Sequence, residues 1–321
     1  MISIETLDEP DSSWNTNLLK TEYATIYQTK EWAQIISNLG KTPLFLKFVN
    51  SKGKIIGQLL ITVTPRFARK GIIQSFMKKI PVSAALLYSW SYGPIIFDEE
   101  NDDIYNALKD FLFSKKVKVS GTGHPLHDIV PQNDGRFVIK NWSTFLIDLT
   151  KPKNELYENI DKHSGRKNIE RSSKRDVLVE EITEKSLQQY SDLVNTERKS
   201  VKGDLIDYEH LLKSWRLLKP LGYSGFLAKK NDIPIGGLLF SYLNGHIIEG
   251  GVARSPFDTK NRLYSQDLIK WKIIEWGIEN KMKFYNLAGV NPKPESEKEE
   301  GILRYKKKWG GKKYDYWIIR R

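Results

Sequence analysis

The order of predicted secondary structure starts again midway through this 321-residue chain, and this restart constrains the fold more than any other feature. Each half predicts a helix, then strands joined by tight turns, then a long helix that packs on them. In the first half these elements are a helix at 29–39, strands at 44–49, 54–63 and 86–90, and a helix at 103–114. In the second half they are a helix at 154–173, a strand at 177–182, helices at 186–199 and 207–219, strands at 225–229, 235–242 and 245–252, and a helix at 264–280. Because no motif recurs at a fixed period, the order indicates a duplicated fold rather than a short repeat.

The restart places a domain boundary between Asn141 and Pro152. We therefore predict one domain over 1–143 and a second over 144–321, with the last residues, from about 314, returning to the first domain. The fold class is α/β (mixed α+β), with a mixed, largely antiparallel sheet in each domain, because the strands alternate with helices and are joined by hairpin turns such as Asn244-Gly245.

Composition excludes several kinds of chemistry. The chain has no Cys, so disulfides, thiolate metal sites and a cysteine nucleophile are ruled out together. His124 and His127 are separated by a proline and have no further ligands beside them, so we expect no metal site, and no cofactor is predicted. The acidic start of the sequence does not resemble a signal peptide, and we expect a monomer in the cytoplasm.

A basic surplus indicates an anionic partner. Lys and Arg exceed Asp and Glu by 51 to 39, which gives a net charge of +12. Six cations fall on one predicted helical segment: Lys162, Arg166, Lys167, Arg171, Lys174 and Arg175. This pattern favours RNA, nucleotides or acidic lipid head groups, although a Lys-rich genome composition would produce the same net charge.

Seven segments in the same order resemble the Fem family of peptidyltransferases. They are Tyr27-Gln28-Thr29-Lys30-Glu31-Trp32, Tyr92-Gly93-Pro94-Ile95, Arg166 to Arg171, Thr196-Glu197-Arg198, Tyr285 to Val290, Gly301-Ile302 and Tyr305 to Gly311. The last three form the most specific part of the match. The resemblance implies two tandem acetyltransferase-like (GNAT-like) domains, and an activity that builds peptidoglycan bridges from aminoacyl-tRNA. It implies the short form of the family, because no charged helical insertion follows Lys219.

The resemblance also implies roles for individual residues. Lys306 would stabilise charge at the reacting carbonyl. Apart from the resemblance, the position of Asp98 four residues after Pro94 makes it a candidate to receive or anchor the amine. Arg198, Tyr305, Tyr92 and Trp32 would bind substrate, and Arg166, Lys167, Arg171 and Lys307 would bind the donor tRNA. For several residues a structural interpretation stays open: Arg198 as a surface helix residue, Asp98 as part of an acidic helix-capping loop, and Lys307 and Lys308 as a solvated basic face. Ile36 stands where short members place a phosphate-binding lysine, which argues against a nucleotide-linked acceptor.

Three functions remain in competition. The leading one is transfer of an aminoacyl or acyl group from an activated carrier to an amine of a cell-envelope or peptide-like acceptor. The second is an acyl-CoA-dependent N-acyltransferase acting on a sugar amine or small molecule. The segment Arg254 to Arg262 argues against it, because it has no glycine pair to cradle a pyrophosphate. The third is a non-catalytic protein that binds RNA or a membrane surface.

Overall fold

The computed structural model describes residues 2–22, 24–65, 86–97, 103–127, 130–200 and 202–321. The chain divides into two compact units, one formed by 1–143 with 315–321 and the other by 144–314. Two strands, β7 (Val138–Asp148) and β13 (Lys312–Arg320), each run from one unit into the other.

The first unit contains a mixed sheet with helices packed against it. Its remaining strands are β1 (Ser3–Leu7), β2 (Thr42–Val49), β3 (Ile55–Pro65), β4 (Leu86–Trp90), β5 (Ile95–Ile96) and β6 (Lys118–Thr122), and its helices are α1 (Trp14–Leu19), α2 (Lys30–Asn38) and α3 (Asp103–Ser114). The strands β1 to β4 pair antiparallel in sequence order, β4 pairs parallel with β6, and β13 pairs antiparallel with β6. Trp317 and Ile319 of β13 are buried in this unit's core beside Trp90 and Leu112.

The second unit contains another mixed, largely antiparallel sheet. Its strands after β7 are β8 (Leu178–Glu181), β9 (Tyr223–Lys230), β10 (Ile233–Leu243), β11 (His246–Arg254) and β12 (Phe284–Asn286). Its helices are α4 (Lys153–Asn159), α5 (Lys167–Lys174), α6 (Leu187–Ser200), α7 (Tyr208–Gly222), α8 (Pro256–Asn261), α9 (Ser265–Glu279) and α10 (Glu297–Lys307). Strands β8 to β11 pair antiparallel in sequence order, β11 pairs parallel with β12, and β12 pairs antiparallel with β7.

The predicted continuous helix over 154–173 is wrong. The helix α4 ends at Asn159, a π-helical turn covers Lys162–Arg166, and α5 then follows. The break is stabilised by Asp161, whose carboxylate accepts hydrogen bonds from the amides of His163 (3.1 Å) and Ser164 (2.6 Å). A Cβ atom at Gly165 would lie 2.3 Å from Cγ2 of Ile160, so the tight turn requires glycine there. Aspartate therefore acts here as a helix cap inside what the periodicity presented as one helix.

The segment near the end of the sequence that carries Tyr305 to Gly311 begins in a regular helix. The helix α10 begins after Ser296, whose hydroxyl accepts a hydrogen bond from the amide of Glu299, and it continues to Lys307. Acidic residues occupy its first turn and basic residues its last turn, which suits the helix dipole at both ends. This helix brings Lys306 to the loop that follows β12.

Candidate functional site

The candidate site lies in the second unit, where strands β11 and β12 part. The two strands pair in parallel only over His246–Ile248 and Phe284–Asn286, whereas β11 continues to Arg254. Gly250 and Gly251 form a bulge opposite Leu239, and both are exposed. The edge of β11 beyond Ile248 is therefore not covered by β12, and a parted strand edge can hydrogen-bond an extended chain.

Lys306 is positioned at the end of β12. Its Nζ donates hydrogen bonds to the carbonyl oxygens of Gly289 (2.8 Å) and Ala288 (3.0 Å), in the loop that follows the strand. Burial lowers the pKa of Lys306 to about 8; Glu249 opposes this shift and Lys270 adds to it. This ammonium group therefore loses its charge close to neutral pH, unlike a solvated lysine.

A buried ion pair lies near Lys306. Lys270 of α9 pairs with Glu249 of β11, and the two side chains are only 3% and 8% exposed. The hydroxyl of Tyr285 donates to the same carboxylate at 3.2 Å, and burial together with the negative charge of Glu249 raises the Tyr285 pKa. The pair fixes a negative and a positive charge at the position where the strands separate.

Lys308 belongs to a second buried pair, so its interpretation as part of a solvated face is wrong. Its ammonium group pairs with Asp267 and donates to the carbonyl of Ser164 at 2.8 Å, and its side chain is 8% exposed. Asn168 donates to the other oxygen of Asp267 at 2.9 Å. These contacts join the end of α10 to the π-helical turn and to α9. Lys307, which lies between Lys306 and Lys308 in the sequence, is exposed.

Tyr305 lies among these charges. The Lys308 ammonium is 4.2 Å from its ring centroid and that of Lys270 is 5.6 Å away, as in cation–π contacts. Its buried hydroxyl has no well-directed hydrogen-bond partner among the described residues, and burial followed by the charges of Asp267 and Glu249 raises its pKa. Tyr305 thus separates the two ion pairs and spaces their cations.

Arg198 and Glu197 lie at the end of α6. The Arg198 guanidinium donates to the carbonyl of Asp204 at 2.6 Å and is half-buried. The Glu197 carboxylate accepts a hydrogen bond from the backbone amide of Arg254 at 3.1 Å, at the last residue of β11. Arg198 therefore closes the loop that follows α6, while its neighbour binds the parted strand.

The residues predicted to bind the donor are placed on and beside α5. Lys167 and Arg171 are exposed, and the Arg171 guanidinium lies 5.9 Å from the ring centroid of Tyr264. Arg166 is half-buried, and its Nε has no hydrogen-bond partner within the described part of the chain. The predicted basic segment thus presents Lys167 and Arg171 to solvent, with Arg166 partly turned inward.

In the two helices that follow β11, backbone amides of the first turn already donate hydrogen bonds to side chains of the protein. The Ser255 hydroxyl accepts a hydrogen bond from the amide of Asp258 at 3.0 Å. The buried Asp258 carboxylate accepts one from the amide of Ser265 at 3.0 Å and pairs with Arg254. Pro256 has no amide hydrogen. A carboxylate therefore holds the place at the start of α9 where a bound pyrophosphate would need amide donors.

The predicted substrate-binding aromatic residues Trp32 and Tyr92 belong to the first unit. The ring of Tyr27 contacts both, with centroid distances of 4.8 Å to Trp32 and 5.7 Å to Tyr92. The backbone amide of Tyr92 donates to the hydroxyl of Thr122 at 2.9 Å. Both side chains are half-buried, so they form a partly exposed aromatic surface. Asp98 lies outside the described residues, and Ile36 is buried in the core.

Sequence reasoning missed Glu249, Lys270 and Asp267. Lys270 lies within the helix predicted at 264–280, and its charge was the signal that could have identified it. A Lys and an Asp within an otherwise buried helix need partners, since an isolated buried charge is very costly. Searching for those partners among the strand residues would have drawn attention to Glu249.

The two units, each a mixed sheet with helices packed against it, define a fold of the tandem acetyltransferase-like kind. No protein-family model and no curated protein matches the sequence. The structure is similar to that of FemX, with a TM-score of 0.68, 14% identity, and coverage of 98% of this chain and 96% of that one. It is also similar to L-PGS from Bacillus licheniformis (TM-score 0.58, 12% identity, coverage 98% and 93%) and to a tandem GNAT protein from the clavulanic acid biosynthesis pathway (0.54, 10%, 100% and 98%). The predicted fold class and the predicted resemblance are confirmed at the level of the fold. Among the described helices, none combines the length and the apolar character that a membrane span requires.

Proposed function

We propose that this protein is an N-acyltransferase of Fem type, which transfers an aminoacyl or acyl group from an activated carrier to an amine. One observation carries the proposal: Lys306, with a pKa near 8, is held at the end of β12 directly after the point where β11 and β12 part. Aminolysis of an ester or thioester needs aligned reactants, charge stabilisation at the oxyanion and removal of a proton. It needs no covalent enzyme intermediate.

The chain's own groups can meet the first two requirements. The uncovered edge of β11 around Gly250 and Gly251 offers main-chain hydrogen bonds to an extended acyl or aminoacyl chain. Lys306 supplies a cation whose hydration has already been removed, so its interaction with a developing oxyanion is stronger than in water. Asp98 stays our proposed group for receiving or anchoring the amine.

We propose aminoacyl-tRNA, or another large anionic carrier, as the donor. Exposed Lys167 and Arg171 beside Arg166 suit a polyanion. The Asp258 carboxylate at the start of α9 argues against a CoA pyrophosphate at that position, since it would repel the phosphates and already accepts the amide hydrogen. An acyl-CoA donor is the second candidate, because a tandem GNAT protein whose structure is described without AcCoA is among the structural neighbours.

The acceptor in this proposal is an amine of a cell-envelope or peptide-like molecule. The partly exposed rings of Trp32 and Tyr92 suit apolar and stacking contacts with a sugar or a peptide side chain. Arg198 is proposed to bind an acidic group of a substrate, although in the structure its guanidinium donates to Asp204. Buried Ile36 cannot bind a nucleotide phosphate, so the proposed acceptor carries no nucleotide at this position.

The test uses total tRNA charged with labelled amino acids, together with a cell extract that supplies acceptors. We expect label to move from tRNA into an acceptor with the wild-type protein and with Lys298→Ala, in which an exposed lysine of the same helix is replaced, but not with Lys306→Ala. A parallel reaction receives labelled acyl-CoA. Transfer from acyl-CoA with none from tRNA would establish the second candidate. Salt-sensitive RNA binding without transfer from either donor would establish a non-catalytic RNA-binding protein.

A further inference from the structure

One end of the first unit carries a basic surface with two exposed apolar side chains. At this end α3 and β13 finish and β7 begins. Phe113 is 44% exposed and Val138 is 55% exposed. The guanidinium of Arg321 joins these elements, because it donates to the carbonyl of Phe113 at 3.4 Å and lies 5.8 Å from the ring centroid of Phe137, the residue before Val138. The surface, which we call the α3 patch, consists of Phe113, Lys115, Lys116, Val138, Arg320 and Arg321.

The cations of the α3 patch are not neutralised by the described part of the protein. Three of them are exposed and the last is half-buried: Lys115, Lys116, Arg320 and Arg321. None forms an ion pair with a residue that the structure describes. The acids Asp110 and Asp134, which lie beside the patch, are both paired with Arg136. A free α-carboxylate at Arg321 would offset one of the four charges, so the patch stays positive and is complementary to an anionic partner.

The apolar part of the α3 patch distinguishes between a lipid surface and a nucleic acid. The ring of Phe113 is already in contact with cations, since the guanidinium of Arg321 lies 4.5 Å from its centroid and that of Arg136 lies 5.6 Å away. At least one face of the ring is therefore covered, whereas a base needs an uncovered face for stacking. Val138 offers no ring at all. Exposed apolar side chains surrounded by Lys and Arg are instead suited to the interface of an anionic bilayer.

We propose that the α3 patch docks the first unit on an anionic lipid surface. Phe113 and Val138 would enter the boundary between head groups and acyl chains, while the four cations would lie against the lipid phosphates. Because only two apolar side chains take part, the contact is reversible and depends on anionic lipid. The proposal goes beyond the acyl-transfer function and does not rest on it, since the patch belongs to the first unit and Lys306 to the second.

The test is sedimentation with vesicles of phosphatidylcholine, with or without phosphatidylglycerol. We expect saturable binding to the vesicles that contain phosphatidylglycerol, and at least about tenfold weaker binding to those without it. Lys115→Ala/Lys116→Ala should weaken binding to the anionic vesicles by about tenfold or more, since each cation near such a surface contributes about fivefold. The charge-matched control is Lys41→Ala/Lys52→Ala, which removes two exposed lysines of the same unit and should change the affinity by less than about twofold.

The apolar contribution is tested by Phe113→Ala, with Leu39→Ala as its control. Leu39 is 50% exposed in the same unit but lies outside the α3 patch. Phe113→Ala should weaken vesicle binding about tenfold, because the ring no longer leaves water on docking, and Leu39→Ala should leave it unchanged. Circular dichroism checks that each variant is folded.

Filter binding of tRNA to the two lysine variants separates a lipid surface from a nucleic acid. We expect both variants to retain the same tRNA affinity. The proposal is overturned if the vesicles with phosphatidylglycerol show no saturable binding, or if the two lysine variants lose vesicle affinity equally. It is also overturned if Phe113→Ala and Leu39→Ala have equal effects, or if Lys115→Ala/Lys116→Ala weakens tRNA binding and not vesicle binding.

Discussion

The ammonium group of Lys270 and the carboxylate of Glu249 form an ion pair that is almost wholly removed from solvent, at the point where two parallel strands separate. Burying a charge pair is costly, and the cost is offset only while both partners are present. Tyr285 adds a third contact to the same carboxylate. This relationship makes the region sensitive to the loss of either single charge.

We expect Lys270→Met to lower the free energy of unfolding by about 3 to 5 kcal/mol, because it leaves the Glu249 carboxylate buried without its cation. The double variant Lys270→Met/Glu249→Gln should recover much of this loss, since the amide keeps an acceptor for Tyr285 without a charge. Urea unfolding measures both. Equal losses in the single and the double variants would show that packing, rather than charge, determines the effect.

Lys306→Ala should reduce turnover by about 10² to 10³-fold, which corresponds to roughly 3 to 4 kcal/mol for the loss of one oxyanion-stabilising group. Circular dichroism checks that the variant is folded. Lys298→Ala is the control, because Lys298 is exposed on the same helix. If the folded Lys306→Ala protein turns over at the wild-type rate, Lys306 has no part in the chemistry.

The pKa of Lys306 predicts a change of stability with pH. The pKa is about 8 in the folded protein against an ordinary value of 10.5, so between these values the unfolded chain binds more protons than the folded one. The free energy of unfolding should therefore rise from about pH 8 to 10.5 by a contribution that Lys306→Met lacks. The difference between the two proteins in urea midpoint across this range is the measurement. If the urea midpoints of the two proteins change with pH in parallel, burial does not lower the pKa of Lys306.

The basic segment beside α5 should make RNA affinity strongly dependent on salt. Replacing Arg166, Lys167 and Arg171 together by Ala should flatten the plot of log affinity against log salt by about two to three units, since each neutralised phosphate of a duplex contributes nearly one. Filter binding of tRNA at several salt concentrations measures the slope. A charge-matched control replaces Lys41, Lys52 and Lys118, which are exposed in the first unit. Equal flattening in both variants would mean that only net charge matters.

The spacing of apolar residues located most helices and strands within a few residues, because the burial of one face of a helix or strand determines that spacing. The helix predicted at 264–280 is α9, from Ser265 to Glu279, and the strand predicted at 235–242 is β10, from Ile233 to Leu243. Periodicity failed where a side chain overrides it: Asp161 interrupts the helix predicted at 154–173. It also missed the regular helix α10, whose few apolar residues are only partly buried.

The site was harder to predict than the fold. Lys306 was found through a motif, but its pKa is set first by burial and then by the charges of Glu249 and Lys270, which lie far away in the sequence. Lys308 shows the same limit, because nothing in the run of three lysines distinguishes the buried member from the exposed Lys307. Only the pairing of Lys308 with Asp267, 41 residues earlier, separates them.

Strand β13 has a consequence for the order in which this protein can mature on the ribosome. Trp317 and Ile319 complete the core of the first unit, yet they are translated after every residue of the second. While translation continues, the amino-terminal unit lacks the strand that pairs with Lys118–Thr122, and that edge stays open. The nascent first unit is therefore vulnerable to aggregation until the residues of β13 have been translated, and a chaperone that shields it during this interval should raise the yield of folded protein.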